Sequence, residues 1–229
     1  MPSMPANFDP EETRQAWLRH GLGELDFWLQ HMDTKLARLK SEARAGRYHY
    51  LEEAELIFWH SALLNRLAHI SKKSVKPLGI DDTLVPWLAR KTGWPKAVAD
   101  AFWYCARNPV VHVGRAWVMA DYGRTLDGAV LKAGFRPDIL DETPATEMPE
   151  PNGTGWYMID CRDIESEITI YFDFTGLRVA AEEVLAKVKD QVREMTPGEL
   201  NKLRSVNERI PFLYTNPESE AQDSSPTEG

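Results

Sequence analysis

The chain has 229 residues, a net charge of −8, 43% hydrophobic residues and two cysteines, a length and composition that support one domain with elaborations and a real core. No apolar run approaches the roughly 18 residues of a membrane span, and the amino terminus lacks a basic-then-apolar leader pattern, so a soluble cytoplasmic protein with no membrane partner is expected. Cys105 and Cys161 form no metal-binding pair, which argues against a disulfide framework and for two reduced, partly buried thiols.

Asp9-Pro10-Glu11-Glu12 reads as an N-cap, a proline at the first helical position and a glutamate at the third, so a helix starts near Pro10. Leu18, Leu22, Leu25, Leu29, Met32, Leu36 and Leu39 then alternate at four and three residues, one stripe facing a partner helix. Trp17, Phe27 and Trp28 are expected to widen that face, while Gly21 and Gly23 weaken its first turns by roughly 1 kcal/mol each relative to alanine. Gly46 marks a turn. A second helix over about 47–71 carries Leu56, Ile57, Trp59, Leu63, Leu64, Leu67 and Ile70, and a short connection makes the two helices antiparallel. His60, near this stripe, reads as a core histidine, because no second histidine or carboxylate stands at metal-ligand spacing. Neither a metal nor a cofactor is expected.

The stretch 71–83 is a basic loop, followed by a short helix through Trp87 and Arg90 and a third main helix over 96–107. Asn108 then reads as an N-cap with Pro109 at the first position of a new helix, Pro109 biasing Asn108 towards extended geometry and so breaking the arriving helix. Residues 123–133 read as a further helical piece, and 135–153 as an acidic, proline-rich loop. Trp156 to Cys161 and Glu167 to Phe174 alternate at period two and form a β-hairpin, acidic enough to suit a protein contact or a lid better than an RNA clamp. Another helix follows Gly176, and Thr196-Pro197-Gly198-Glu199 is a second capping box. The tail from Pro217 is polar and acidic, a disordered composition.

Chemistry concentrates at Arg107-Asn108-Pro109-Val110-Val111-His112. A guanidinium grips a phosphate with two parallel hydrogen bonds, and an imidazole titrates near neutral pH. Together they equip the chain for phosphoryl chemistry. Arg115 lies three residues beyond His112 and either adds a phosphate contact or caps a solvated edge, the latter being favoured. Arg44 and His49 share the five-residue spacing, but only Arg107 has both an adjacent polar residue and a helix start. From 62 to 117 nine Lys or Arg stand against three Asp, so this stretch is locally basic in an acidic chain. A solvated helix face and an RNA-binding patch explain that balance equally well.

The Arg-Asn-x-x-x-His pattern in a mostly helical chain resembles the HEPN family, over about residues 9–122. The resemblance implies a helical bundle and, in many members, metal-independent RNase activity at a homodimer cleft; it also implies a toxin or phage-defence role with a neutralising protein partner. On this reading Arg107 and His112 are catalytic, Asn108 and Arg115 supporting, and RNA is the substrate. The alternative is a non-catalytic helical interaction, sensor or adaptor module. No nucleophile elbow, Walker-type phosphate loop or His-Glu-x-x-His motif is present. The expected architecture is mainly α: an antiparallel HEPN-like bundle over 1–134, the loop over 135–153, the hairpin with C-terminal helices packed on the bundle over 154–214, and a disordered tail over 215–229.

Overall fold

The computed structural model describes residues 8–47, 50–73, 83–108, 125–136, 156–160 and 166–209. Asp9 Oδ1 accepts from the backbone N–H groups of Glu11 and Glu12 at 2.8 and 3.1 Å, which starts α1 (Pro10–Ala16) as expected. The helix does not then run on unbroken. A π-helical turn, Trp17–Gly21, separates α1 from α2 (Gly23–Arg44), and the Leu22 N–H donates to the Trp17 carbonyl at 2.8 Å. Trp17 and Leu22 are both buried. At 3.6 residues per turn they would stand about 140° apart, so the wider turn is what brings both to the core.

The stripe from Leu22 to Leu39 is buried throughout, and Leu18 packs against it partly covered. Phe27 corrects the reading of the wider face: it is 69% exposed and points away from the stripe. The second long helix, α3 (Tyr50–Lys72), buries Leu56, Ile57, Leu63, Leu64, Leu67 and Ile70, with Trp59 partly covered. Ion pairs fix its direction against α2. Glu24 meets Arg66 at 2.9 Å, Lys35 meets Glu55 at 2.8 Å and Arg38 meets Glu52 at 3.4 Å, so the numbers rise on one helix as they fall on the other. The two helices are antiparallel.

Next come α4 (Val85–Thr92), closed by Gly93 in the left-handed region at φ 79°, and α5 (Lys96–Asp100). The latter passes directly into a further π-helical segment, Ala101–Arg107, in which every residue before Arg107 is buried.

Thr125–Leu126 (β1) and Ala129–Arg136 (β2) form strands where a helical piece was expected. Asp127 and Gly128 lie between them at φ 49° and 83°, the two positive values that a two-residue hairpin turn requires. The Asp-Gly pair is a stronger local signal than the weak helical pattern around it. With β3 (Trp156–Asp160) and β4 (Glu167–Asp173), the strands make one sheet in the order β1-β2-β4-β3. The antiparallel β3–β4 pair is the expected hairpin. What the sequence reading lacked is the parallel pairing of β4 with β2, from Val130 opposite Glu167 to Arg136 opposite Asp173. The boundary drawn between 134 and 135 therefore falls inside β2, and the hairpin is continuous with the preceding segment.

Strand β4 turns into α6 (Phe174–Arg193) without a loop, before Gly176 and not after it. The Asp173 carboxylate accepts from the N–H groups of Thr175 and Gly176 at 3.2 and 3.0 Å, one residue ending the strand and capping the helix. Lys189 meets Asp26 and Arg178 meets Asp33, both at 2.8 Å, so α6 runs antiparallel to α2, and it packs against both α2 and α3 as the third helix of a bundle. The second capping box forms as read: Thr196 N–H donates to Glu199 at 3.0 Å and Glu199 N–H to Thr196 Oγ1 at 3.4 Å, opening α7 (Pro197–Arg209). Sheet and helices share one core. In it Phe172 contacts Phe102, Phe135 and Trp94 with ring centroids 5.4 to 5.8 Å apart. The protein is mainly helical with a small mixed sheet.

Candidate functional site

Arg107 stands at the end of the π-helical segment Ala101–Arg107, and the wide turn decides what surrounds it. The Asn108 N–H donates to the Trp103 carbonyl, five residues back, which holds Asn108 in right-handed helical geometry at φ −63° and ψ −45°. This corrects the expected N-cap. The helix is not broken before Asn108, whose Oδ1 accepts from Arg107 Nη1 at 2.9 Å. On its other side the guanidinium carbon lies 5.2 Å from the centroid of the Trp103 ring, a cation–π arrangement. An aromatic at i and an arginine at i+4 is a visible sequence signal, and Trp103 is the site residue that the motif alone did not supply.

The guanidinium is half-buried, and burial lowers its pKa with no carboxylate opposing the shift among the described residues. Arg66 makes the useful contrast. Its side chain is mostly buried and lies over a tryptophan, Trp28 at 5.1 Å, but its charge is answered by Glu24. Arg107 has a ring and an amide and, among the described residues, no such counter-charge. Beneath it the buried Trp103 Nε1 has no hydrogen-bond partner among the described residues.

His112 and Arg115 lie outside the described residues, so the structure brings together Arg107 and Asn108 of the four predicted residues. Two cations of the locally basic stretch are answered by acids from elsewhere in the chain, and a third by an acid within it. Lys73 meets Glu199 at 2.7 Å, Lys96 meets Asp100 at 2.8 Å, and Arg66 meets Glu24. These three cations are neutralised within the fold.

Two buried titratable groups stand outside this site. His60, on α3, is 1% exposed; its Nδ1 is 2.7 Å from the Leu56 carbonyl, and burial pushes its pKa down to about 4. It is a core histidine, as the sequence indicated. Glu53, also on α3, is 6% exposed, and burial pushes its carboxyl up to about 8. No group of three His, Cys, Asp or Glu among the described residues could hold a metal ion, and no described helix is long and apolar enough to cross a membrane. Cys105 is buried and its thiol donates to the Leu131 carbonyl at 3.3 Å, tying the π-helical segment to β2.

Comparison with family models, with curated proteins and with solved structures finds no match to this chain.

Proposed function

We propose that the chain is a HEPN-type endoribonuclease in which Arg107 and Asn108 receive the scissile phosphate and His112 moves a proton. One observation carries the reading: a half-buried guanidinium, oriented by an amide and an indole, with no carboxylate to neutralise it among the described residues. A cation taken partly out of water without a counter-charge is costly until an anion arrives, and a phosphodiester oxygen is such an anion.

The chemistry follows from the substrate. The RNA 2′-oxygen attacks the adjacent phosphorus as its proton is removed, the bond from phosphorus to the 5′-oxygen breaks, and that oxygen takes up a proton. The products are a 2′,3′-cyclic phosphate and a 5′-hydroxyl. Arg107 holds the non-bridging oxygens while negative charge accumulates on them, the kind of donor whose loss costs about 100- to 1000-fold in rate. His112 serves one of the two proton transfers, and a second copy of His112 would serve the other.

Single-stranded RNA is incubated with the full chain in EDTA and the ends are identified. The reading requires cyclic-phosphate ends, loss of cleavage in Arg107→Ala and His112→Ala, and thermal stability close to the parent's in both. Absence of cleavage, or equal cleavage by His112→Ala, defeats it. The second reading, a non-catalytic interaction module, is favoured by the exposed aromatic residues on α2 and α3. It is supported if these substitutions lower the melting temperature and no cleavage is found.

A further inference from the structure

We infer that the junction of α4 with α6 is an anion site for a diphosphate group, formed by Arg90, Lys91 and Lys187. The inference does not rest on the nuclease reading, and its residues stand outside the Arg107 motif. The junction is built outwards from the core. Trp87 Nε1 donates to Ser71 Oγ at 3.1 Å, that hydroxyl donates to Gln191 Oε1 at 2.7 Å, and Gln191 Nε2 donates to the Ser71 carbonyl at 2.9 Å. Trp87 and Ser71 are buried, so the Gln191 amide is fixed at both ends by the interior. Its oxygen also receives Lys91 Nζ at 3.4 Å. One turn earlier on α6, Lys187 Nζ donates to the Lys91 carbonyl at 2.7 Å, at the C-terminal end of α4. The two lysine side chains cross between the helices, each anchored on a neutral oxygen.

Charge distinguishes these cations from their neighbours. On α6, Arg178, Lys189 and Arg193 each meet a carboxylate, and at the end of α3 Lys73 meets Glu199. Arg90, Lys91 and Lys187 make no ion pair among the described residues. Asp190, three residues after Lys187, is taken by Arg193, and Glu183, one turn before it, does not reach it. Burial lowers the Lys91 pKa, and Lys187 and Arg90 lower it further, with no carboxylate opposing them among the described residues. The carbonyl end of α4 offsets about half a charge, which leaves most of the excess unanswered. Each ammonium spends one N–H on the protein and keeps two, and the exposed Arg90 adds a guanidinium beside them. Three cations crowded at one place suit an anion that concentrates several charged oxygens. A diphosphate does so, whereas a phosphodiester chain brings one charge per nucleotide. Because Gln191 already holds Lys91 in place, little ordering remains for the ligand to impose.

Isothermal titration calorimetry of the full chain with inorganic diphosphate, at constant ionic strength, tests the site. Saturable binding is expected, weakened about tenfold or more in Lys91→Met with Lys187→Met and unchanged in Arg107→Ala. Arg90→Met is an exposed change that should also weaken binding, and it keeps the test decisive if the double variant fails to fold. A nucleoside diphosphate is the second probe: equal affinity assigns the diphosphate group alone and tighter affinity a larger molecule carrying it, and either result supports the site. Absence of saturable binding, affinity no better than for sulfate, or equal competition by single-stranded RNA with a 5′-hydroxyl end overturns the proposal. So does binding that survives in the lysine and Arg90 variants. If Lys187 merely caps α4, Lys187→Met lowers the melting temperature and leaves diphosphate affinity intact, which is equally fatal to it.

Discussion

The Trp17 ring lies so close over Gly21 that a β-carbon on the glycine would sit 2.4 Å from Trp17 Cε3 and 2.8 Å from Cζ3. Both residues belong to the π-helical turn between α1 and α2, and both are buried. The glycine makes room for the indole, and the indole fills the space that the widened turn opens.

Gly21→Ala is therefore expected to destabilise the protein, although helix propensity alone predicts a gain of about 1 kcal/mol. The clash is with a buried ring that has nowhere to swing, and overpacking of this kind costs about 1–3 kcal/mol. Urea unfolding decides the sign. The comparison variant is Gly23→Ala, whose β-carbon would come no nearer than 3.5 Å to the Leu18 carbonyl oxygen and which should be neutral or stabilising.

The same geometry recurs across the sheet. Gly134 on β2 stands opposite Tyr171 on β4, and a β-carbon there would meet Tyr171 Cδ1 and Cε1 at 2.5 Å. Gly134→Ala should destabilise by a similar amount, and more than it does in a Tyr171→Ala background, where the ring is gone. A double-mutant cycle in chemical denaturation reads the coupling, and additive effects would refute the contact.

Glu53 and His60 should give stability opposite slopes with pH. Burial raises the Glu53 carboxyl from 4.5 to about 8, so the folded state holds its proton more tightly; the stability it confers is complete below about 4.5 and is lost as pH rises through 8. His60 falls from 6.5 to about 4, so the unfolded state binds the extra proton and stability is lost as pH drops from 6.5 through 4. The two effects oppose each other between about 4.5 and 6.5. Glu53→Gln should remove the alkaline loss and leave the acid one, while His60→Gln should do the reverse, as followed by denaturant unfolding at a series of pH values.

Asp173 both ends β4 and caps α6. Asp173→Ala should cost about 1 kcal/mol, with Asp173→Asn recovering part of it, since its single amide oxygen replaces only one of the two carboxylate oxygens that accept from Thr175 and Gly176. Thermal unfolding of the two variants provides the measure. Equal losses in both would show that the carboxylate's charge, and not its capping geometry, matters there.

Local signals in the chain carried a good part of this architecture. The Asp9 N-cap, the Thr196 capping box, the antiparallel pair of long helices, the β3–β4 hairpin and the core position of His60 follow from short-range chemistry: side chains that cap neighbouring amides, and periods of 3.6 and 2 that place apolar residues on one side. The π-helical turns escaped that reading because each depends on a bulky ring finding a cavity in the assembled core, which no period encodes. The β1–β2 hairpin was legible in Asp127-Gly128, whose turn chemistry should have outweighed a loose helical pattern.

At the candidate site, the amino-acid order alone singled out Arg107 and Asn108 through their adjacency and through Pro109. It misassigned Asn108, because a proline's bias on the preceding residue is weak and the i to i+5 bond from Asn108 to Trp103 prevails. Only the tertiary structure decided which cations are neutralised. Arg66, Lys73 and Lys96 belong to the same basic stretch as Arg107, yet each finds a carboxylate, two of them from α2 and α7. Charge along a chain is a sum over neighbours in sequence, whereas the field at a guanidinium is set by neighbours in space, and those are chosen by packing.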